Sequence, residues 1–191
     1  MLRLLDVLFS FLGLIVLSPL LILLCLWVKF DSAGPILYIQ KRVGLNGKDF
    51  NLIKFRSMRV NADKLGLLTV GGRDPRITNS GYYIRKYKMD ELPQLFNVLI
   101  GDMSLVGPRP EVRKYVDLYN QEQLKVLSVR PGITDEASIA FRNENEILAL
   151  SKDPEQTYIN EIMPDKIELN QKFISNPSLS NYFRIIIRTI I

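Results

Sequence analysis

The sequence predicts an α+β protein, mainly helical and membrane-associated. Three features carry this: an uncharged apolar stretch near the N-terminus, one β-hairpin pattern, and helical patterning through much of the chain after residue 82. With 191 residues, 47% of them hydrophobic, the chain can build one core plus an appended segment, not two full domains. It contains no histidine and one cysteine. The usual general base and the commonest metal ligand are therefore absent, which excludes Ser-His-Asp triads, Cys-His pairs and zincin sites. Any chemistry must rest on carboxylates, Lys, Arg, Tyr or hydroxyls. Cys25 lies inside the apolar stretch and reads as a small hydrophobe, so a disulfide framework and a thiolate zinc cluster are also excluded.

The first element is the uncharged stretch 7–28, flanked by Arg3 and Asp6 before it and by Lys29 and Asp31 after it. As a helix it covers roughly 30 Å, about the hydrocarbon thickness of a bilayer. A cleaved signal peptide would have a shorter apolar region and a more basic start. Ser18 and Pro19 lie mid-stretch, where Pro19 cannot donate to the carbonyl of Ile15 and its ring crowds that turn. A kink is expected, with the Ser18 hydroxyl placed to satisfy the freed carbonyl. The residues alone leave a kinked single span and a re-entrant hairpin equally open. Nearly all basic residues follow the segment, which puts the large C-terminal part on the cytoplasmic side.

The second element is a basic hairpin. Residues 40–60 hold Lys41, Arg42, Lys48, Lys54, Arg56 and Arg59 against Asp49 alone, equal to the whole chain's +5. Such a cluster beside a membrane anchor suits anionic headgroups or a phosphorylated ligand, and a solvated basic face is the plainer alternative. No nucleic-acid partner is expected, because neither a helix-turn-helix nor an RNP signature accompanies the charge. Residues 36–40 and 50–55 are β-prone and are joined by a loop containing Asn46-Gly47, which predicts the hairpin. Gly44, Gly47 and Lys48 do not make a Walker A loop: the glycines are three apart and Asp49 stands where Ser or Thr is required. Gly71-Gly72 opens a polar segment through Gly81, with Asp74-Pro75 inside it, that reads as an irregular loop.

From Tyr82 the pattern turns helical, with Arg85, Lys86 and Lys88 ahead of the run Asp90-Glu91-Leu92-Pro93-Gln94. If Asp90 is an N-cap, Glu91 and Pro93 fall in the first turn, where a missing N–H costs least and negative charge suits the helix dipole. A well-capped helix is one reading of these residues. The other is a phosphate site, because Gly107-Pro108-Arg109-Pro110 presents a guanidinium on stiff backbone between two prolines. Residue types alone do not choose between them.

A longer ordered set of motifs does. The apolar start with Ser18-Pro19, Lys54-Phe55-Arg56-Ser57-Met58, the Asp90 run, Gly101-Asp102-Met103-Ser104, Val106-Gly107-Pro108-Arg109-Pro110 and Arg130-Pro131-Gly132-Ile133-Thr134 follow one another over roughly residues 1–135. In this the sequence resembles the small monotopic phosphoglycosyl transferases, bacterial sugar transferases that move a phosphosugar from a nucleotide diphosphate sugar, expected to be a UDP-sugar, onto polyprenyl phosphate. The resemblance implies Asp90 as the nucleophile of a ping-pong reaction through a covalent aspartyl-phosphosugar, which initiates lipid-linked glycan assembly. It implies Glu91 as the Mg²⁺ ligand and Lys54, Arg85, Arg109 and, less directly, Arg130 as phosphate-binding residues. It further implies that the N-terminal helix is re-entrant, broken at Ser18-Pro19, on the cytoplasmic face of the bacterial inner membrane. The division that follows is 1–30, the membrane-inserted helix; 31–150, a cytoplasmic catalytic domain; and 151–191, a C-terminal helical segment packing on the core and the membrane interface. Partners would be the nucleotide sugar, polyprenyl phosphate and membrane lipid, with homo-oligomerisation left open. A noncatalytic scaffold that binds anionic lipid through its basic hairpin is the alternative.

The match weakens at Asp135-Glu136-Ala137-Ser138, and the tail is read on its own. Asp153-Pro154 predicts an N-cap and helix start through about residue 162, and Pro164 a second helix toward residue 174. Where family members carry a further Asp near the C-terminus this chain reads Ser180-Asn181-Tyr182, so no third acidic ligand is assigned. The apolar run 182–191 is too short to span a bilayer; with Arg184 and Arg188 on one face it reads as an interfacial helix whose arginines snorkel, or else as a core helix.

Overall fold

A computed structural model of the chain describes residues 2–66, 68–71 and 74–190; Gly72 of the expected glycine loop and Ile191 of the terminal run lie outside the described residues. The uncharged stretch forms α1 (Leu2–Asp31), a helix long and apolar enough to cross a membrane. It runs through Ser18-Pro19 as one element, and the Ser18 hydroxyl donates to the Ile15 carbonyl at 2.7 Å, replacing the bond that Pro19 cannot make. At about 1.5 Å per residue such a helix is roughly 45 Å long, yet both of its ends are tied to one folded body. At its start Arg3 donates to the carbonyls of Val98 (2.7 Å) and Leu99 (3.2 Å), and Asp6 accepts from Ser104 and Leu105. At its end Arg56 donates to the carbonyls of Val28 (3.0 Å), Ser32 (2.6 Å) and Ala33, and Asp31 accepts from the Ser80 amide and hydroxyl. One face of α1 thus lies on the body, while Leu12, Ile15, Val16, Ile22 and Leu23 stay exposed on the other.

The hairpin forms as β1 (Leu37–Val43) and β2 (Asp49–Phe55), antiparallel with Gln40 opposite Leu52. A short 3₁₀ turn joins them, with Asn46 and Gly47 both at positive φ, as a tight connection of this kind demands. After a 3₁₀ turn at Ala62–Leu65 comes α2 (Asn79–Lys86), which begins earlier than its apolar pattern suggested because the Thr78 hydroxyl caps it, accepting from Gly81 N–H at 3.0 Å. A 3₁₀ turn at Met89–Glu91 leads into α3 (Gln94–Ile100), closed by Gly101 at φ 106. The expected N-cap at Asp90 is not formed: α3 starts after Pro93, and the Asp90 side chain makes no capping bond.

Two short strands not foreseen in the sequence, β3 (Ser104–Val106) and β4 (Gly132–Thr134), pair in parallel. The chain comes so close there that a Cβ on Gly132 would lie 2.1 Å from the Gly107 nitrogen, which requires glycine at this crossing. Between them lie α4 (Arg113–Val116) and a 3₁₀ turn at Gln123–Ser128; after them come α5 (Glu136–Ala140), α6 (Glu144–Leu150), α7 (Pro154–Thr157), α8 (Met163–Ser175) and α9 (Leu179–Ile190). Asp153 caps α7 as expected, accepting from Gln156 N–H at 3.1 Å. α8 begins at Met163 with Pro164 in its first turn, as expected, but it is not a separate helix. A π-helical turn at Tyr158–Ile162 widens the ladder and carries α7 into α8 without interruption.

The largest core joins the middle of the chain to its tail: Val112, Tyr115, Val126 and Leu148 pack with Tyr158, Ile162, Met163 and Ile167. A second cluster seats Leu24 and Val28 of α1 on Phe55 and Ile84. In α9, Tyr182 and Ile185 are fully buried against Val106, as in the core reading of that segment. Its Arg184 and Arg188 pair with Glu136 at 3.1 and 2.7 Å and so are engaged with protein, while Phe183 meets Phe9 of α1 edge-on.

Candidate active site

Three local devices converge on one cavity. Lys88 takes the left-handed conformation (φ 56), and the following 3₁₀ turn aims Asp90 and Glu91 inward from the start of α3. Asn97, fully buried on α3, binds the β2 backbone through both amide atoms, donating to the Asn51 carbonyl at 2.8 Å and accepting from Ile53 N–H at 3.0 Å. This clamp brings Lys54 of β2 to 3.7 Å from Glu91. On the far side, the extended Gly107–Pro110 segment presents Arg109, held by its own N–H, which donates to the Asp135 carboxylate at 3.0 Å. Arg109 forks onto Glu91, with Nη1 to Oε2 at 3.2 Å and Nη2 to Oε1.

The cavity has a volume of about 590 Å³ and is lined by Lys54, Arg85, Asp90, Glu91 and Arg109 among others. Arg85 reaches Thr69 Oγ1 at 3.1 Å from its rim. Arg130, the remaining residue of the expected set, does not line it: its Nε donates to the Gly101 carbonyl at 2.9 Å, beyond the end of α3. Arg56, from the same basic stretch as Lys54, reaches the cavity wall but spends its fork on the end of α1.

The electrostatics separate the two acids. Burial favours the neutral form of both. Glu91 overcomes this through Arg109 and Lys54, which hold its carboxyl well below the usual range. Asp90, 6% exposed, is pushed upward by burial and by the Glu91 charge, with Lys54, Arg85 and Arg109 opposing. Lys54 is itself pushed down to about 8, chiefly by burial and only partly offset by Glu91. Among the described residues no hydrogen bond engages the Asp90 carboxylate, which leaves its lone pairs for something entering the cavity.

Sequence reasoning missed a supporting layer. Arg42 Nη1 donates to the Pro110 carbonyl at 3.0 Å and to Glu111 at 3.2 Å, while its Nε and Nη2 both reach Gln40. Tyr158 OH donates to the other Glu111 oxygen. This network fixes Pro110, and with it the backbone that carries Arg109. Asp135 adds a second tie by accepting from Arg109 N–H and, at 2.6 Å, from Ser138 N–H. The Asp-x-x-Ser spacing of an N-cap was the one sequence signal for the Asp135 contact; the Arg42 network depends on residues up to 69 apart and had none.

No group of three or more acidic or cysteine side chains is placed to hold a metal among the described residues. A hard cation such as Mg²⁺ nevertheless needs only one or two carboxylates when phosphate oxygens and water complete its shell. Glu91 retains acceptor capacity beyond its bonds to Arg109 and Lys54, and Asp90 is free, so the donor set fits Mg²⁺ together with a diphosphate.

Comparison with known proteins bears on this geometry. The family model for bacterial sugar transferases matches residues 1–191. A UDP-N-acetylgalactosamine-undecaprenyl-phosphate N-acetylgalactosaminephosphotransferase of Aeromonas hydrophila is 38% identical over 188 residues, 97% of this chain and 41% of that protein. An exopolysaccharide production protein ExoY of Sinorhizobium fredii is 40% identical over 154 residues, 73% of this chain and 68% of its own. A UDP-glucose:undecaprenyl-phosphate glucose-1-phosphate transferase of Escherichia coli K12 is 39% identical over 147 residues, 75% and 32% respectively. The chain thus spans well under half of the Aeromonas and Escherichia proteins and about two thirds of the Sinorhizobium one.

Proposed function

This chain belongs to the bacterial sugar transferase family, and from that premise we propose that it transfers a phosphosugar from a nucleotide diphosphate sugar, a UDP-sugar by analogy with the names of its relatives, to a polyprenyl phosphate. The observation that carries the reading is the buried Asp90 carboxylate, uncapped and unbonded, beside three cations in one cavity.

In the proposed reaction the nucleotide sugar binds with its phosphates against Lys54, Arg85 and Arg109. An Asp90 oxygen attacks the sugar-bearing phosphorus, and the bond to the bridging oxygen breaks, that oxygen leaving with the nucleoside monophosphate. An acyl phosphosugar remains on Asp90. A polyprenyl phosphate oxygen then attacks the same phosphorus and the Asp90–phosphorus bond breaks, restoring the carboxylate and giving the lipid diphosphate sugar. Asp90 attacks as the carboxylate, a form that Lys54, Arg85 and Arg109 favour against the upward push of burial and the Glu91 charge, and the polyprenyl phosphate attacks as an anion, so neither step requires a general base and a site without histidine is sufficient. The protein's part is positioning and charge. Mg²⁺, which Glu91 would hold, offsets diphosphate charge that would otherwise repel an incoming carboxylate.

The placement of α1 supports a monotopic attachment on one membrane face, because both helix ends are tied to the same body and its exposed side is apolar. A soluble nucleotide sugar and a lipid-borne phosphate would then meet at one interface. The scaffold reading draws less support here than the charge count suggested: Arg42 and Lys54 of the basic hairpin turn into the cavity, where they are only 17% and 15% exposed, which leaves Lys41, Lys48 and Arg59 as the exposed cations of that stretch. The test is release of UMP from UDP-sugars by detergent-solubilised protein with Mg²⁺ and undecaprenyl phosphate. We expect turnover that requires Asp90; lipid-vesicle binding by the hairpin with no turnover of any donor would favour the scaffold.

A further inference from the structure

Two side-chain oxygens on the cavity wall lack a partner. Asn170 on α8 is 5% exposed, and its Oδ1 meets no donor; Ser138 on α5 has a buried Oγ in the same condition. Both residues line the cavity that holds Asp90 and Arg109. A buried polar atom left unbonded costs about 1–3 kcal/mol, so such atoms on a cavity wall mark where a ligand supplies the missing bond. Of the other buried polar atoms without partners, Ser32 Oγ lies away from the cavity, and Arg56 Nε belongs to a guanidinium already committed to α1.

The ligand chemistry follows from the surroundings. Beside the two orphans stand the Lys166–Glu144 pair at 2.7 Å and the ring of Phe141, all lining the same cavity. Lys166 Nζ lies over the Tyr158 ring at 5.5 Å from its centroid, and hydroxyl, amide, carboxylate and ammonium sharing one cavity wall with the Tyr158 and Phe141 rings suit a polyhydroxylated ring with an apolar C–H face, that is, a sugar. Position narrows it further. The Asp135 carboxylate accepts from Arg109 N–H with one oxygen and from Ser138 N–H with the other, so the serine sits one carboxylate away from the phosphate clamp. We infer that Ser138 and Asn170 form the subsite that recognises the sugar borne by the transferred phosphate. The inference rests on the transfer reaction proposed above and goes beyond it by naming the residues that choose the sugar.

The test is isothermal titration calorimetry on the detergent-solubilised Asp90→Asn chain with Mg²⁺, which holds donor without turnover. Titrants are UDP-N-acetylgalactosamine, UDP-glucose and UDP, the last carrying nucleoside and phosphates but no sugar. Adding Asn170→Leu or Ser138→Ala should weaken a UDP-sugar that binds the parent about tenfold while UDP changes less than twofold. Asn170→Leu should also melt no lower than the parent, since it removes an orphaned polar atom at similar volume, which a structurally required asparagine would not allow. Equal weakening of UDP would place the nucleoside in this subsite and overturn the inference, as would unchanged sugar-nucleotide affinity or a lower melting temperature for Asn170→Leu. A parent that binds UDP but neither sugar nucleotide more tightly would overturn it too, and one that binds no nucleotide at all would sink the transfer reading with it.

Discussion

The start of α1 and the cavity at α3 each bury an aspartate, and they do so in opposite ways. Asp6, 2% exposed, has both oxygens filled by neutral donors: the Ser104 hydroxyl at 2.8 Å, Leu105 N–H at 2.9 Å and the Tyr182 hydroxyl at 2.8 Å. Those three bonds join α1, β3 and α9, and the carboxylate is fully occupied in holding them. Asp90, 6% exposed, faces charges but receives no hydrogen bond among the described residues. A buried carboxylate that is satisfied does structural work, whereas one left unsatisfied among cations is poised for a ligand or a reaction. Burial alone does not distinguish them; the accounting of lone pairs does.

The largest effect that could break this contrast is Asp90→Asn. Removing a nucleophile at constant volume should cost at least about 10⁴-fold in turnover. It should leave the melting temperature unchanged or higher, because a buried charge held without hydrogen bonds is relieved. A large drop in melting temperature would make Asp90 a second Asp6. Asp6→Ala should behave in reverse, losing about 3 kcal/mol in denaturant unfolding as the Tyr182 and Ser104 hydroxyls and the Leu105 N–H lose their acceptor. Turnover per folded molecule should fall far less than for Asp90→Asn. Next in size is Arg109→Lys, which keeps the charge but loses the fork onto Glu91; kcat/KM should drop about 10- to 100-fold.

The smallest effect sharpens the electrostatic side. Lys54 is lowered from its ordinary value to about 8, so its charge is complete well below pH 8 and is lost as pH rises through it. Donor affinity should therefore decline above about pH 8, by no more than tenfold per pH unit, and Lys54→Arg should remove that limb because a guanidinium stays charged. An identical alkaline limb in the Arg variant would assign the titration to another group.

How much of this was legible in the sequence divides along the same line. The hairpin was readable because Asn46-Gly47 supplies its turn locally, and α7 because Asp153-Pro154 caps it. The candidate site was legible through the order of motifs and the resemblance it carries, not through residue type, which left a capped helix equally open; Lys54, Arg85, Asp90, Glu91 and Arg109 line one cavity. The division of labour among the arginines was not. Arg56 and Lys54 lie two apart in the same basic stretch and on a continuous strand would share a face, yet one caps α1 and the other meets Glu91, because β2 ends at Phe55 and Arg56 lies just beyond it. Arg130 is drawn to the carbonyl end of α3, a partner fixed only once β3 and β4 pair. The bonds of Asp6 cross 98 to 176 residues, and no local pattern announces them. The Asp90 cap misled in an instructive way: the local rule was satisfied on paper, but Lys88 at positive φ turns the chain before the helix begins.

The most direct test is intact-protein mass spectrometry after incubation with Mg²⁺ and a panel of UDP-sugars without lipid acceptor, wild type beside Asp90→Asn. We predict a mass increase equal to one phosphosugar on wild type alone, with matching UMP release, and its disappearance when undecaprenyl phosphate is added. UMP release during full turnover by Asp90→Asn at the wild-type rate, or an adduct that persists in that variant, would contradict the assignment of the covalent step to Asp90.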